Sequence, residues 1–530
     1  MLVAVTVLRL AIAFVLPFTG DEAYYYFWGV YGGYGGYDHP GMVAWWLWPF
    51  VRLGSSEWLI RLPAVLLLPA VSWLTWRIAR PAAGRAAEFA GIAVALVPAE
   101  LLNVLTTTDT PLVLFCLASV LAYQTALRRA AAPGTAAVNR WHWIAGVLLG
   151  AALDSKYFAA LLAIAFLVFA LVSPRRERPW PGLVALAAGA VPLFALNLYW
   201  NFENCWLNIL FNFFTRHDNV SLSVRNPAVY LVILAYLTAP LLLWRLARRA
   251  LVAGPDVGRP AGQPPDPARR LVACALAVPL AAFGALSLVK SIGLHWPFAF
   301  TPLAFAAGAI WLGEAELRRA IRWVAALSGI HLAVIGAAVL LPLETWQTSR
   351  LYDGLVLTVQ PRAVMALLEP YASDYAFATD GYSNSVTLSY ARRRFAPRTA
   401  AQGGGFAADS AANGDFLVFG RGSAHGRQQD RYDDFRPLDR GNILVFRKTR
   451  PPLEEYQPFF DQVEYRSAVL RGVTYYLVLG RGFRYAAYRD QVLAVIRDRF
   501  YRGPAWLPAG HCFFCERYFG EARCAAAPPG

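Results

Sequence analysis

The sequence is poor in charged residues, in cysteine and in lysine. Only 16% of its 530 residues are charged, whereas about a quarter are charged in an average soluble protein. Its six cysteines are too few for the disulfide framework of a small secreted protein. Lysine occurs only at Lys156, Lys290 and Lys448, so arginine carries nearly all of the net charge of +15. With 57% hydrophobic residues, this composition excludes a disordered, fibrous or disulfide-rich secreted protein and indicates many membrane spans.

Long apolar runs fill the first two thirds of the chain, and arginines border them. Arg175, Arg176 and Arg178, for example, lie between two such runs. This is the positive-inside pattern of a polytopic membrane protein, and it argues against nucleic-acid binding. We predict eleven spans, near 1–17, 58–77, 88–105, 111–127, 142–153, 157–173, 181–198, 228–246, 271–289, 296–312 and 321–342.

The arginine pattern also predicts the topology. It places the amino terminus in the cytoplasm, and the first span lacks the basic region and the cleavage site of a signal peptide. An odd number of spans then puts the C-terminal part outside the membrane. Because arginine and alanine are abundant and lysine is scarce, we expect the inner membrane of a GC-rich bacterium.

From about residue 345 the composition becomes that of a soluble domain. The predicted fold class is therefore an α-helical polytopic membrane protein, with spans and external loops over 1–344 and an extracytoplasmic soluble α/β domain over 345–530. A Pro- and Gly-rich stretch, 254–270, is predicted to be a cytoplasmic linker. Within the soluble domain we predict strands at Asp415–Phe419, Asn442–Phe446 and Thr474–Leu479, and helices at Pro361–Leu368 and Ser383–Arg393.

Two carboxylates, Asp21 and Glu22, follow directly after the first apolar run. Carboxylates at a membrane face cost desolvation energy unless something pairs with them. One interpretation is helix capping, with Asp21 stabilising the start of a helix over Glu22–Val30. The other is an acid/base or metal-binding carboxylate, and these residues alone leave both open.

Asp109 has a similar ambiguity, because Pro111 suits the first turn of a helix whose N-cap is Asp109. The distribution of other ionisable residues favours a function. Clustered carboxylates, imidazoles and ammonium groups on one face suit phosphate binding and proton transfer. The residues that we predict on the external face are Asp21, Glu22, Asp38, His39, Asp109, Asp154, Lys156, Lys290 and His295.

Several short motifs follow one another in a particular order. They are Asp21-Glu22-Ala-Tyr-Tyr, Tyr37-Asp38-His39-Pro40, Asp109-Thr-Pro-Leu, Leu153-Asp-Ser-Lys156-Tyr157, Asn197-Leu-Tyr-Trp-Asn201 with Trp206, and His295-Trp296-Pro297. This ordered set resembles the GT-C glycosyltransferases. It is most similar to the bacterial dolichyl-phosphate-mannose-protein mannosyltransferase-like group, which includes the aminoarabinose transferases of lipid A. The resemblance covers about the first 310 residues.

The resemblance implies an inverting transfer from a sugar on a polyprenyl phosphate or diphosphate. By analogy, Asp21 is the general base and Asp109 is the second acidic residue of the site. Lys156 and Lys290 are the permanent cations for the leaving phosphate, and His39 stands where related transferases carry a lysine. The substrate-binding set that it implies is Glu22, Tyr37, Asp38, His39, Lys156, Asn201, Lys290, His295 and Trp296. The acceptor stays open among a lipid, a glycan and a protein.

A divalent metal is a further expectation. Some relatives use one and others need none, and hard cations accept a carboxylate–phosphate ligand set. The metal ligands would be Asp38 and Asp109, with the donor phosphate.

Other features have structural explanations. The aromatic runs at 24–28 and 45–48 suit interfacial belts better than sugar platforms, and Gly41–Leu53 suits a helix lying at the interface. The glycines between 32 and 36 suggest flexibility. Arg427–Arg440 suggests a solvated loop, and binding of an anionic acceptor is its alternative role. Cys512, Cys515 and Cys524 fit a disulfide or unpaired thiols, because zinc needs four ligands and no second cysteine pair follows.

Two other functions compete with a transferase. Transporters and flippases place ionisable residues near the bilayer midplane and often contain repeats. Here the ionisable residues lie at junctions of loops and helices, and we find no repeat. An inactive GT-C scaffold that binds lipid or partner proteins is the other alternative, and the presence of both Asp21 and Asp109 argues against it.

Overall fold

The computed structural model describes residues 1–132, 136–215, 221–253, 267–395, 414–422, 427–508, 510–522 and 524. Most of the predicted linker at 254–270 lies outside these residues. The structure confirms the predicted fold class, a chain of apolar helices with a small sheet.

The chain divides into two compact units, and each is made of several segments. The first unit comprises Met1–Val15, Arg61–Asn197 and Asn219–Ala338. The second comprises Leu16–Ile60, Leu198–Asp218 and Val339–Gly530. The packing therefore divides the chain differently from the predicted boundary at 344/345, because two early segments belong with the sheet. That boundary stays a prediction about membrane placement.

Helices account for nearly all of the regular structure before residue 341. They are α1 (Leu2–Val15), α2 (Gly20–Tyr31), α3 (Met42–Leu53), α4 (Glu57–Ala83), α5 (Ala86–Ala95), α6 (Pro98–Leu102), α7 (Asp109–Ala130), α8 (Arg140–Ser155), α9 (Ala160–Val172), α10 (Trp180–Glu203), α11 (Leu207–Phe213), α12 (Arg225–Leu237), α13 (Pro240–Ala253), α14 (Pro267–Ser287), α15 (Pro302–Trp311) and α16 (Glu314–Leu340).

Five of these helices, α4, α7, α10, α14 and α16, are long and apolar enough to cross a membrane. The number rises to seven if two bent helix pairs each count as one span. The predicted number of eleven spans and their orientation stay predictions. The break between α8 and α9 falls at Lys156, so this region forms two helices, as predicted.

Small residues bring helices of the first unit close together. A Cβ at Gly146 of α8 would lie 2.1 Å from the carbonyl oxygen of Leu186 in α10. This backbone contact is typical of helix packing in membranes, where small residues permit close approach. It ties α8, which ends next to Lys156, to a neighbouring span.

The second unit contains one five-stranded sheet of strand order β2-β1-β3-β5-β4. β1 pairs in parallel with β2 and β3, and the other pairs are antiparallel. The strands are β1 (Ala376–Thr379), β2 (Leu417–Val418), β3 (Ile443–Arg447), β4 (Phe460–Leu470) and β5 (Val473–Phe483). The remaining α-helices are α17 (Tyr352–Val359), α18 (Pro361–Leu368), α19 (Tyr382–Phe395), α20 (Tyr485–Tyr488), α21 (Ala494–Ile496) and α22 (Phe513–Phe519).

The central strand β3 is buried on both faces. Ile443 and Val445 pack in one hydrophobic core, and Leu444 and Phe446 pack in another. A strand with two buried faces reads as a continuous apolar run, which is how this one was predicted. The three predicted strands and the two predicted helices are confirmed, with shifted ends for all but α18.

The first half of the Arg427–Arg440 segment is buried, so its prediction as a solvated loop was wrong. The Arg427 guanidinium forms an ion pair with Asp430, and Tyr501 donates its hydroxyl to the same carboxylate at 2.7 Å. Charges stay buried when they are paired and hydrogen-bonded, which this arrangement provides. Only the residues from 436 onward are mostly exposed.

Four cysteines form two disulfide bonds, Cys205–Cys512 and Cys515–Cys524. The first joins residues 307 positions apart. The sequence left the state of Cys512, Cys515 and Cys524 open, and it gave no indication that Cys205 belongs with them. Cys116 and Cys274 are buried free thiols.

Candidate functional site

In the first unit, Asp109 pairs with Lys156. Asp109 is the first residue of α7, and the N-cap is Thr108, which makes no side-chain cap hydrogen bond. The Lys156 Nζ lies 2.8 Å from Asp109 Oδ1, and both residues are buried, at 4% and 7% exposure. The interpretation of Asp109 as an N-cap is therefore wrong.

Aromatic rings connect Lys156 to the segment 290–296, which contains three of the predicted substrate-binding residues. The Lys156 ammonium lies 5.3 Å from the centroid of the Phe158 ring. Phe158 contacts Trp296, with 4.9 Å between ring centroids. Lys290, which is half-buried, and His295, which is exposed, lie on the same segment as Trp296. The first unit thus brings Asp109, Lys156 and Trp296 together.

In the second unit, α2 begins with a capping box between Thr19 and Glu22. Thr19 donates its backbone N–H and its hydroxyl to Glu22 Oε2, each at 3.1 Å, and Glu22 donates its N–H to Thr19 Oγ1. Such reciprocal bonds fix the first turn of a helix. Glu22 is 1% exposed, so these contacts favour a structural role, and its predicted role in substrate binding stays a prediction. Asp21 is not the cap.

Asp21 is exposed at the start of the same helix. Surrounding protein atoms displace part of its water and raise the pKa of its carboxyl above the ordinary value. Desolvation, and then the charges of Asp21 and Asp38, raise the pKa of Tyr382 to about 12. The charges of both Asp21 and Asp38 therefore act on the Tyr382 hydroxyl.

Two tyrosines in this region were not selected from the sequence as site residues. The Tyr24 ring lies 5.3 Å from that of Tyr382. The Tyr24 hydroxyl is buried and has no hydrogen-bond partner among the described residues. Tyr382 begins α19, more than 350 residues after Tyr24, so no local pattern could have linked the two.

The Tyr37-Asp38-His39 segment is held through its backbone. The Tyr37 N–H donates to Gln428 Oε1 at 2.8 Å, and the Tyr37 carbonyl accepts from Asn208 Nδ2 at 2.9 Å. The Asp38 carbonyl accepts from Asn212 Nδ2 at 2.8 Å. Asp38 and His39 are half-buried. The sequence selected this segment but gave no signal for the two asparagines that hold it.

Two glycines before this segment allow indole rings to approach the backbone. A Cβ at Gly35 would lie 2.2 Å from the Trp200 ring, and one at Gly36 would lie 2.0 Å from the Trp28 ring. These glycines serve close packing, so the prediction of flexibility was wrong for both. Trp28 is 1% exposed and Trp200 is 0% exposed, so the run at 24–28 packs inside the unit, and its prediction as an interfacial belt was also wrong.

Asn201 is fully buried in the last turn of α10. Its Oδ1 accepts from the Ile209 N–H at 3.2 Å, and its carbonyl accepts from the Trp206 N–H at 2.7 Å. These bonds favour a structural role over the predicted role in substrate binding, which stays a prediction.

The surroundings of the Asp109 carboxylate do not fit the expected divalent metal. The Lys156 ammonium lies directly beside the carboxylate, and its positive charge opposes a divalent cation there. Among the described residues, the one group of three or more potential ligands is Cys512, Cys515 and Cys524, which the structure pairs in disulfides. No step of the chemistry below depends on a metal.

Residues 38–200 match the family model of dolichyl-phosphate-mannose-protein mannosyltransferase. The match confirms the resemblance predicted from the motifs, over the part of the chain that it covers. That part contains Asp38, His39, Asp109 and Lys156. Together with the long apolar helices, the match supports a multi-pass membrane protein.

Solved structures give a remote similarity. The apo oligosaccharyltransferase of Archaeoglobus fulgidus is 14% identical, with a TM-score of 0.40 over 74% of this chain and 63% of its own. The oligosaccharyltransferase AglB of the same organism, in complex with an inhibitory peptide and a dolichol-phosphate, is 14% identical, with a TM-score of 0.41 over 84% of this chain and 68% of its own. This chain therefore spans less than two thirds of the length of the apo enzyme. No curated protein matches the chain.

Proposed function

We propose that the protein is an integral-membrane inverting glycosyltransferase. It moves a sugar from a polyprenyl-phosphate donor to a hydroxyl group of an extracytoplasmic lipid, glycan or protein. The family match over residues 38–200 supports the reaction class. The observation that carries the proposal is Asp21, an accessible carboxylate with a raised pKa near Tyr382.

Asp21 is the general base in this proposal. An inverting displacement at the anomeric carbon needs a group that takes the proton of the attacking hydroxyl, and a raised pKa makes a carboxylate a better base. Glu22, the adjacent carboxylate, is engaged in the capping box. Asp21 is therefore the acidic residue of this motif that is accessible to an acceptor.

The donor phosphate needs positive charge as it leaves. Lys156 is paired with Asp109. We assign the donor phosphate first to Lys290, a half-buried lysine that the family resemblance also implies. His39 is the second candidate, because an imidazole can donate a hydrogen bond when neutral and can pair with phosphate when protonated. Asp109 then holds the Lys156 ammonium in position.

The test is Asp21→Asn in the full-length protein. The amide keeps the shape of the side chain and removes its basicity, so we expect turnover to fall by at least about 100-fold. The assay follows release of polyprenyl phosphate from a panel of polyprenyl-phosphate pentoses and hexoses, with lipid and glycan extracts as acceptors. Donor binding by the variant should stay within about threefold of wild type, since the substitution removes no phosphate contact.

Asp490→Asn is the matched control, because Asp490 is an exposed aspartate of the same unit that pairs with Arg489 on the surface. We expect it to keep full turnover. Wild-type turnover of Asp21→Asn would remove Asp21 from the mechanism. Failure of the wild-type protein to consume any donor of the panel, while binding it, would favour the scaffold alternative.

A further inference from the structure

The turn before α11 has a strained backbone. Cys205 and Trp206 have φ values of 59° and 56°, in the left-handed region that non-glycine residues rarely adopt. Two such residues in succession persist only where the surroundings hold them. The turn is therefore a place where outside contacts decide the local conformation.

Those contacts come from the C-terminal segment. The Cys205 N–H donates to the His511 carbonyl at 2.8 Å, and the Trp206 Nε1 donates to the Pro508 carbonyl at 2.8 Å. The Cys205–Cys512 disulfide adds a covalent bond at the same place. The segment around His511 thus holds the strained turn in position.

The turn leads directly into the helix that supports the Tyr37-Asp38-His39 segment. α11 begins at Leu207, and its Asn208 and Asn212 donate to the carbonyls of Tyr37 and Asp38. Asn208 is fully buried, so it cannot exchange this partner for water without moving. A displacement of Cys205 is therefore transmitted to the Tyr37–Asp38 backbone through α11 alone, a helix of seven residues.

The two disulfides are in contact with each other. The Cys512 Sγ lies 3.4 Å from the Cys524 Sγ, although each sulfur is bonded to a different partner. Cys524 is half-buried, whereas Cys512 and Cys515 are 2% and 0% exposed. A thiolate formed at Cys524 would therefore lie next to a disulfide that it can attack.

We propose that these four cysteines form a clasp that opens by thiol–disulfide exchange and so controls the position of the Tyr37–Asp38 backbone. In the closed form, Cys205 is bonded to Cys512 and the strained turn is held. In the open form, Cys512 is bonded to Cys524, and the turn and α11 are released. The meaning of the clasp for donor binding rests on the proposed function, but the exchange does not.

The exchange needs one dithiol reductant, for which a dithiol oxidoreductase or dithiothreitol would serve. One thiolate of the reductant attacks Cys524 Sγ, and Cys515 leaves as a thiolate. The second thiol breaks this mixed disulfide, so the reductant leaves oxidised and Cys524 becomes a thiolate. Cys524 then attacks Cys512 Sγ, and Cys205 leaves. The two protons of the reductant end on Cys515 and Cys205, and the chain keeps one disulfide.

The first test maps the bonds in the full-length protein in detergent. The protein is treated with increasing dithiothreitol, free thiols are alkylated, and the cysteine peptides are identified by mass spectrometry. We expect a species with Cys205 and Cys515 alkylated and with Cys512 bonded to Cys524. In Cys515→Ser/Cys524→Ser, the attacking thiol is absent, so Cys205 should stay bonded at the same dithiothreitol concentration. Equal alkylation of Cys205 in both proteins, or absence of the Cys512–Cys524 species, would overturn the proposal.

The second test measures hydrogen exchange of the peptide that covers residues 34–42. In the wild type, opening of the clasp should increase backbone exchange there roughly tenfold. Release of the asparagine contacts lets this backbone move and so opens the bond from the Tyr37 N–H to Gln428 Oε1. Asn212→Ala, with both disulfides intact, is the positive control and should raise exchange at the same peptide. Unchanged protection in the opened wild type would overturn the link to the Tyr37–Asp38 backbone. Neither test uses donor or turnover, so failure of the clasp and failure of the proposed function are distinguishable.

Discussion

Lys156 Nζ lies 2.8 Å from Asp109 Oδ1, and side-chain exposure is only 5% and 11% for the two residues. Each charge therefore makes the burial of the other tolerable. A lone buried charge costs several kcal/mol, and removal of one partner of a buried pair typically destabilises a protein by about 3 to 5 kcal/mol. The pair explains why an ammonium group can lie in an apolar bundle next to Phe158.

The pair predicts a strong coupling in stability. Lys156→Met should lower the free energy of unfolding by about 3 kcal/mol, because it leaves the Asp109 carboxylate buried without its cation. Asp109→Leu should have a similar effect, and the double variant should be more stable than either single one. Thermal unfolding of the four proteins in the same detergent measures the coupling. Additive losses in the double variant would contradict a paired role.

Lys290 and Lys448 allow a matched comparison of two lysines. Lys290→Ala should weaken binding of polyprenyl phosphate about tenfold, which corresponds to the loss of one charged hydrogen bond of about 1.4 kcal/mol. Lys448 directly follows β3 in the second unit, where its Nζ is 3.5 Å from Asp353 Oδ2, so Lys448→Ala should leave binding unchanged. Titration with polyprenyl phosphate gives both dissociation constants. Equal affinity of Lys290→Ala and wild type would remove Lys290 from the donor site.

The raised pKa of Asp21 predicts the acid limb of the pH–rate profile. A general base works only when it is deprotonated, so activity is present above its pKa and is lost as the pH falls through it. Because desolvation raises this pKa, the limb should lie above the ordinary aspartate value of about 3.9. The pH dependence of kcat/KM, measured at constant ionic strength, gives the midpoint. A limb at or below the ordinary value would assign the base to another group.

The glycines beside the indole rings predict a sharp steric effect. Gly35→Ala should destabilise the second unit by about 1 to 3 kcal/mol, because its Cβ would overlap the buried Trp200 ring. Gly336→Ala is the control, since nothing lies within 4 Å of a Cβ at that position in α16. Thermal unfolding distinguishes the two. A Gly35→Ala protein as stable as the wild type would show that the ring can move aside.

The Asp109–Lys156 pair also predicts the response to chelators. Since Lys156 already balances the Asp109 charge, we expect full transfer activity after exhaustive treatment with EDTA and dialysis. Metal analysis of the treated protein checks that removal is complete. Loss of activity that Mg²⁺ or Mn²⁺ restores would support the metal expectation and would require a ligand set without Asp109.

Parts of the fold with a strong local pattern could be predicted from the sequence. α18 has Pro361 in its first turn and apolar residues at helical spacing, and it was predicted with its observed bounds. β4 was not predicted, because one face of the strand is exposed and charged residues interrupt its apolar ones. The turn between β4 and β5 also lacks the residues that usually mark a hairpin. Arg471 and Gly472 both have positive φ at that turn, at 50° and 78°, where hairpins usually carry asparagine or aspartate before glycine.

The candidate site was predictable only in its chemistry. Asp21, Asp109 and Lys156 could be selected from the sequence, because an ionisable group beside an apolar run costs desolvation energy and therefore indicates a function. Their partners could not, since the contacts join distant parts of the chain. Lys156 is 47 positions from Asp109, and Gln428 is 391 positions from Tyr37. The burial of Arg427 could not be predicted for the same reason, because the Tyr501 hydroxyl that stabilises its ion pair lies 71 positions beyond Asp430.

The long disulfide has a consequence for biosynthesis. Cys205 and Cys512 are 307 positions apart, and ribosomes add about 5 to 20 residues per second. Cys205 is therefore added to the chain roughly 15 to 60 seconds before Cys512. During that interval the nascent chain carries Cys205 without its partner, so the bond can form only if Cys205 stays a thiol, or stays in a disulfide that can still exchange, until Cys512 has been added.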